Sequence, residues 1–142
     1  MDLASPTPQA GVRREGVPVG SPPLISVVDD DEAVRESLGS LIRSIGFGVQ
    51  AFASAEEFLN SDHLRVADCL VLDVRMPGMN GLELQRRLRA NHCGIPVIFI
   101  SAHGDEEARS RALREGAVDF LLKPFSAEAL LNAIHSALDH PK

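Results

Sequence analysis

From Leu24 onward the chain repeats one pattern five times: a short apolar run, then an amphipathic stretch. The runs fall near residues 24–28, 47–52, 68–72, 95–100 and 118–122, and they are strand-like in length and rich in β-branched residues. The amphipathic stretches lie near 32–45, 55–62, 81–91, 105–115 and 127–139. Val34, Leu38, Leu41, Ile42 and Ile45 have helical spacing, as do Leu82, Leu84 and Leu88, and Leu130, Leu131, Ile134 and Leu138. Few architectures accept such a chain. Strict alternation argues for a parallel sheet with helices on both faces. The run Val97-Ile98-Phe99-Ile100, apolar throughout, suits a strand covered on both sides. The expectation is an α/β protein, a doubly wound sheet of five parallel strands.

Local chemistry marks where the helices begin and end. Ser54 and Glu57 form a capping box, Asp105 and Ser126 can cap, Asp31 reads as a cap or turn former, and Gly46 and Gly116 sit where helices should stop. Residues 1–23 hold five of the nine prolines and no periodic apolar pattern. Such a segment cannot bury enough surface to offset its ordering entropy, so a disordered tail is expected before a domain over 24–140.

Composition narrows the function. The formal charge of −6 lacks the clustered Lys and Arg that grip a phosphate backbone, so this chain should not bind nucleic acid directly. No apolar segment is long enough to span a bilayer, and no secretory h-region opens the chain. Cys69 and Cys93 lie far apart; Cys69 begins an apolar run and reads as a small buried hydrophobe. A cytoplasmic setting is expected.

The strand ends carry the chemistry. Asp29 and Asp30 end the first strand, Asp73 the third, Ser101 the fourth, and Lys123 the fifth. In open doubly wound sheets the ligand site lies at the carboxyl ends of the strands. Three carboxylates and one ammonium should therefore converge. Carboxylates that close repel one another unless a hard cation sits among them. The pattern predicts a Mg²⁺ site with one carboxylate able to accept a phosphoryl group.

Four segments carry a resemblance: Val27-Val28-Asp29-Asp30-Asp31, the run from Leu72 through Asp73-Val74-Arg75-Met76-Pro77-Gly78 to Gly81, Ile100-Ser101-Ala102, and Leu122-Lys123-Pro124-Phe125. Together they resemble the receiver domains of two-component response regulators, in particular those of the nitrogen-fixation regulators. The likeness covers residues 24 to about 140. It implies a (βα)5 flavodoxin-like fold with strand order 2-1-3-4-5. It implies that Asp73 takes phosphate from a sensor histidine kinase or histidine phosphotransfer protein. Mg²⁺ would be held by Asp30, Asp73 and the backbone carbonyl of Arg75, with Asp29 acting through a metal-bound water. Lys123 would pair with one phosphate oxygen and Ser101 would donate its hydroxyl to another. Ser101 and Phe120 would form the switch, the aromatic rotating inward as Ser101 moves. The surface of the fourth helix, fifth strand and fifth helix would then change for a partner, and the resemblance also allows a phosphorylation-dependent homodimer. The family commonly has a cis bond between the residues matching Lys123 and Pro124, and it tunes phosphate loss at the positions matching Arg75 and His103.

Plainer readings stand beside these. Ser101 also reads as a strand-terminal hydroxyl, Phe120 as core, Gly78 and Gly81 as turn residues, and His63, His92, His135 and His140 as surface residues. Nothing after residue 142 could serve as an output domain, so the leading expectation is a switch, not an enzyme, whose output lies in another protein. The alternative is a receiver fragment of a helix-turn-helix transcription regulator. An aspartyl-phosphate hydrolase is disfavoured because Arg75 stands where a second Asp would be needed. A dinucleotide site lacks its Gly-rich turn, and Asp29-Asp30-Asp31 would repel a pyrophosphate.

Overall fold

The structure is a computed structural model that describes residues 21–102, 104 and 106–139. Five parallel strands form one sheet: β1 (Leu24–Val28), β2 (Gly48–Phe52), β3 (Cys69–Asp73), β4 (Val97–Ser101) and β5 (Asp119–Leu122), in the order β2-β1-β3-β4-β5. The crossovers contain α1 (Glu32–Ser44), α2 (Ala55–Leu59) followed by a helical turn His63–Val66, α3 (Gly81–Ala90) and α4 (Glu106–Arg114); α5 (Ala127–Leu138) ends the described fold.

Side chains alternate across each strand and build two cores. Ile25, Val27, Cys69, Val71, Ile98 and Ile100 face α1 and α5, meeting Leu38, Ile42, Leu130 and Ile134. Leu70, Leu72, Val97, Phe99 and Phe120 face the other way, toward Phe58, Leu84, Leu88 and Ala112. Central strands thus bury both faces, which is why they read as unbroken apolar runs. Each fully buried Leu or Ile contributes roughly 2 kcal/mol from lost water contact, so this two-sided burial outweighs any local helix or strand preference.

Most end signals act as expected. Asp31 caps α1, accepting from the N–H groups of Ala33 at 2.9 Å and Val34 at 3.3 Å. Ser126 caps α5 through Ala129 N–H, and Gly46 and Gly116 follow α1 and α4 with φ of +100° and +103°. The Ser54–Glu57 box forms by half: Ser54 Oγ accepts from Glu57 N–H, but Glu57 Oε1 reaches the N–H of Ala53, not that of Ser54. The full reciprocal box belongs to Asn80 and Glu83 at the start of α3. The ordered ladder begins before residue 24, since the Pro23 carbonyl accepts the Gly48 N–H at 2.9 Å. The tail over 1–20, the Asp105 cap, His103 and His140 lie outside the described residues.

Candidate functional site

Strand ladders bring the charged residues together. Asp29 follows β1, and its N–H still pairs with the Phe52 carbonyl of β2 at 3.1 Å. Asp73 and Ser101 are the last residues of β3 and β4, and the Lys123 N–H reaches the Ser101 carbonyl at 2.8 Å. The Lys123–Pro124 peptide is cis. These four residues therefore sit at one sheet edge.

Asp29 is fully buried yet well partnered. Its Oδ1 accepts the Asp31 N–H at 2.9 Å and its Oδ2 accepts Lys123 Nζ at 3.0 Å. Its carbonyl accepts the Arg35 guanidinium at 2.7 Å. Asp73 is 6% exposed, and its Oδ1 lies 4.0 Å from the same ammonium. Burial pushes the Asp73 carboxyl up from its ordinary 3.8 to about 6. The neighbouring Asp29 charge pushes the same way and Asp30 adds a little; Lys123 and the Arg75 backbone N–H pull it down without offsetting the rise. Asp30 is exposed.

One oxygen from each of Asp29, Asp30 and Asp73 lies within 4.8 Å of the others. Oxygens that share one small divalent ion sit about 2.0–2.6 Å from it, and so lie up to roughly 4–5 Å apart. Spacing and hard-oxygen chemistry both fit a divalent cation, and such an ion would offset the burial and neighbouring charge that together raise Asp73.

Other expected residues fall as follows. Ser101 is 1% exposed, at the edge beside Asp73. Phe120 is buried and its ring centroid lies 6.2 Å from that of Phe99. Arg75 is exposed in the loop after Asp73. Two readings are corrected. Gly81 is not a turn residue: a Cβ there would run into the Asp73 carbonyl oxygen and the Phe99 ring, so its role is close approach beneath the site. His63 is half-buried, not a freely exposed surface residue: its ring lies edge-on to Phe52, centroids 5.5 Å apart, and its Nδ1 is buried. His92 and His135 are exposed as expected. Cys69 is fully buried, with burial pushing its thiol up to about 12.

A parallel sheet of this order, ending in an acid cluster faced by a lysine, defines a class of protein in which a strand-end aspartate is set among acids able to hold a metal ion. Residues 25–135 match the family model for the response regulator receiver domain, and the chain belongs to that family. TodT of Pseudomonas putida, a response regulator, is 52% identical over 115 residues, covering 81% of this chain and 51% of TodT. The transcriptional regulatory protein FixJ of Bradyrhizobium diazoefficiens is 44% identical over 114 residues, covering 80% and 56%. The crystal structure of FixJ-N superposes with a TM-score of 0.79 at 40% identity, covering 84% of this chain and 96% of that one. The chain thus spans about half the length of TodT and FixJ. No helix among the described residues is long and apolar enough to cross a membrane.

Proposed function

We propose that this receiver is a phosphoacceptor switch in which Asp73 takes a phosphoryl group from a phosphohistidine on a sensor kinase or a histidine phosphotransfer protein. An oxygen of the Asp73 carboxylate forms the new O–P bond while the P–N bond breaks, and the imidazole nitrogen leaves with the electron pair. Such transfers rest mainly on positioning and on neutralising charge on the phosphoryl oxygens. The observation that carries this reading is the buried Asp73 carboxyl, crowded by Asp29 and Asp30 and faced by a single ammonium.

Mg²⁺ would be held by Asp30, Asp73 and the Arg75 carbonyl, with Asp29 reaching it through water, and when bound it supplies the positive charge that lets donor phosphate approach the acids. Asp29, already paired with Lys123 at 3.0 Å, holds that ammonium at the site for a phosphoryl oxygen. The Ser101 hydroxyl takes another oxygen. The Ser101–Phe120 pair couples the site to the surface of α4, β5 and α5. Support comes from a cavity of about 350 Å³ there, lined by Arg109, Phe120, Leu122, Phe125 and Ala129 among others, and from Leu122, 50% exposed. That surface is the place for a partner or a second copy after phosphorylation. Residues 24–140 form the working unit, in a cytoplasmic setting, and the switch is not a turnover enzyme because its acceptor is also its product.

A second reading follows from the half-length match to FixJ: these residues serve as the receiver of a helix-turn-helix regulator. The primary test is labelling. Purified protein incubated with radiolabelled acetyl phosphate and Mg²⁺ should approach one phosphoryl group per chain, and Asp73→Asn should incorporate none. Undiminished labelling of the variant would remove Asp73 from the role.

A further inference from the structure

The loop over residues 74–80 connects Asp73 to α3 and contains the Arg75 carbonyl. Its base is closed from within: the Gly81 N–H donates to the Val74 carbonyl at 2.9 Å, and the Val74 N–H donates to the Ile100 carbonyl at 3.1 Å. Its outer limb, residues 76–79, is tied from elsewhere. Glu56, in the first turn of α2, accepts the Met79 N–H with Oε2 at 3.1 Å, across a separation of 23 residues. The same carboxylate lies against Gly78, whose φ of +74° is a backbone state that side-chain-bearing residues rarely adopt; a Cβ there would stand 3.0 Å from Glu56 Oε2.

The limb can transmit this tie. Pro77 fixes its own φ. Met76 is buried and Met79 packs against the core, so neither end slides freely. Asn80 then locks into the capping box with Glu83. A bond at Met79 therefore limits where the Arg75 carbonyl can stand. Hydrogen bonds to a charged acceptor are roughly twice as strong as neutral ones, and residues that orient metal ligands affect affinity though they never touch the ion.

We propose that Glu56 is a positioning residue for the divalent cation: by holding the Met79 N–H it keeps the loop after Asp73 in the conformation that offers its carbonyl to the metal. This rests on the phosphoacceptor reading of the same site. Neither the α2 helix nor Glu56 belongs to the acid cluster itself, so the carboxylate acts through the backbone.

The test is Mg²⁺ binding to the metal-free, unphosphorylated protein, measured by titration calorimetry with MgCl₂ alone. Glu56→Ala should weaken Mg²⁺ affinity by about tenfold, the lower end of what loss of a ligand-orienting partner costs. Glu56→Gln, which keeps an acceptor oxygen, should stay within about twofold of wild type. A purely structural role would lower the melting temperature and leave the Mg²⁺ dissociation constant alone. An unchanged dissociation constant for Glu56→Ala, or a Glu56→Gln variant as weak as Glu56→Ala, overturns the inference. If the wild type itself takes up no Mg²⁺, the phosphoacceptor reading fails instead; if the wild type binds and is labelled while Glu56→Ala matches it, only the role of Glu56 falls.

Discussion

The third strand has an aspartate at each end, and the two live in opposite circumstances. Asp68 stands just before Cys69. Its Oδ2 accepts the Leu24 N–H at 2.9 Å, and its own N–H donates to the Leu24 carbonyl at 2.8 Å, so it closes the entrance of the β1–β3 ladder. Asp73 ends the same strand and meets Asp29, Asp30 and one lysine. The first carboxylate is used by backbone. The second is crowded by others of its own sign. Residue type does not explain the difference; strand direction does. In a parallel sheet every carboxyl end points to one edge, so acids placed there accumulate, whereas an acid at the amino edge meets unpaired backbone N–H groups. The fold concentrates its electrostatic cost at the edge where a divalent cation could relieve it.

The sharpest way to break that contrast is to discharge the crowded member. The Asp73 carboxyl titrates at about 6 in the folded chain, above its ordinary 3.8. The folded state therefore holds the proton more tightly than the unfolded one. The resulting stability is fully present below about pH 4, declines as pH rises, and is gone above about pH 6, a span of about 3 kcal/mol. Asp73→Asn keeps a neutral group of the same shape and should escape this loss. In urea titrations with EDTA present, the advantage of Asp73→Asn over wild type should grow by about 2 kcal/mol between pH 4.5 and pH 7.5. An advantage equal at both pH values would show that burial and crowding do not raise the Asp73 carboxyl.

Gly81→Ala attacks the same aspartate from beneath. The added methyl must displace either the Asp73 carbonyl or the Phe99 ring, both held in the buried centre of the sheet. Overpacking of this kind costs about 2 kcal/mol. The expected result is a lower urea midpoint together with slower labelling by acetyl phosphate. A variant with wild-type midpoint and labelling would mean that the strand end yields easily and that its crowding is not enforced by packing.

Gly81 also shows where sequence reading stopped. The five parallel strands and the gathering of Asp29, Asp30, Asp73, Ser101 and Lys123 were legible because both follow from alternation: once each apolar run is a parallel strand, its last residue has a known destination, whereas the order 2-1-3-4-5 came only from the family resemblance. The apolar runs at 68–72 and 95–100 stop one residue before the strand ends, which fall at Asp73 and Ser101 as expected. β3 and β4 extend through the polar Asp73 and Ser101, because ladder hydrogen bonds join backbone whatever the side chain. What stayed hidden depends on neighbours distant in sequence. Gly81 reads as a turn residue until Phe99 is seen against it. His63 reads as surface until Phe52 covers its ring. The Glu56–Met79 bond joins residues 23 apart, with no periodicity to announce it. Even the Ser54–Glu57 box was displaced by one residue, since Glu57 found the Ala53 N–H. Pattern locates elements and their ends; pairings made after those elements pack lie outside it.

The smallest expected effect belongs to the quiet end of β3. Asp68→Ala removes the acceptor of the Leu24 N–H but leaves that N–H partly exposed, where water can replace the lost partner. The cost should be about 1 kcal/mol, the usual net worth of one such bond. Because Asp68 stands at the other end of the strand from the acid cluster, the variant should keep wild-type labelling with acetyl phosphate. Loss of labelling in Asp68→Ala would mean that the two ends of β3 are coupled through the strand. The contrast between a carboxylate that closes a ladder and one that waits for a cation would then have to be replaced by a single, shared electrostatic network.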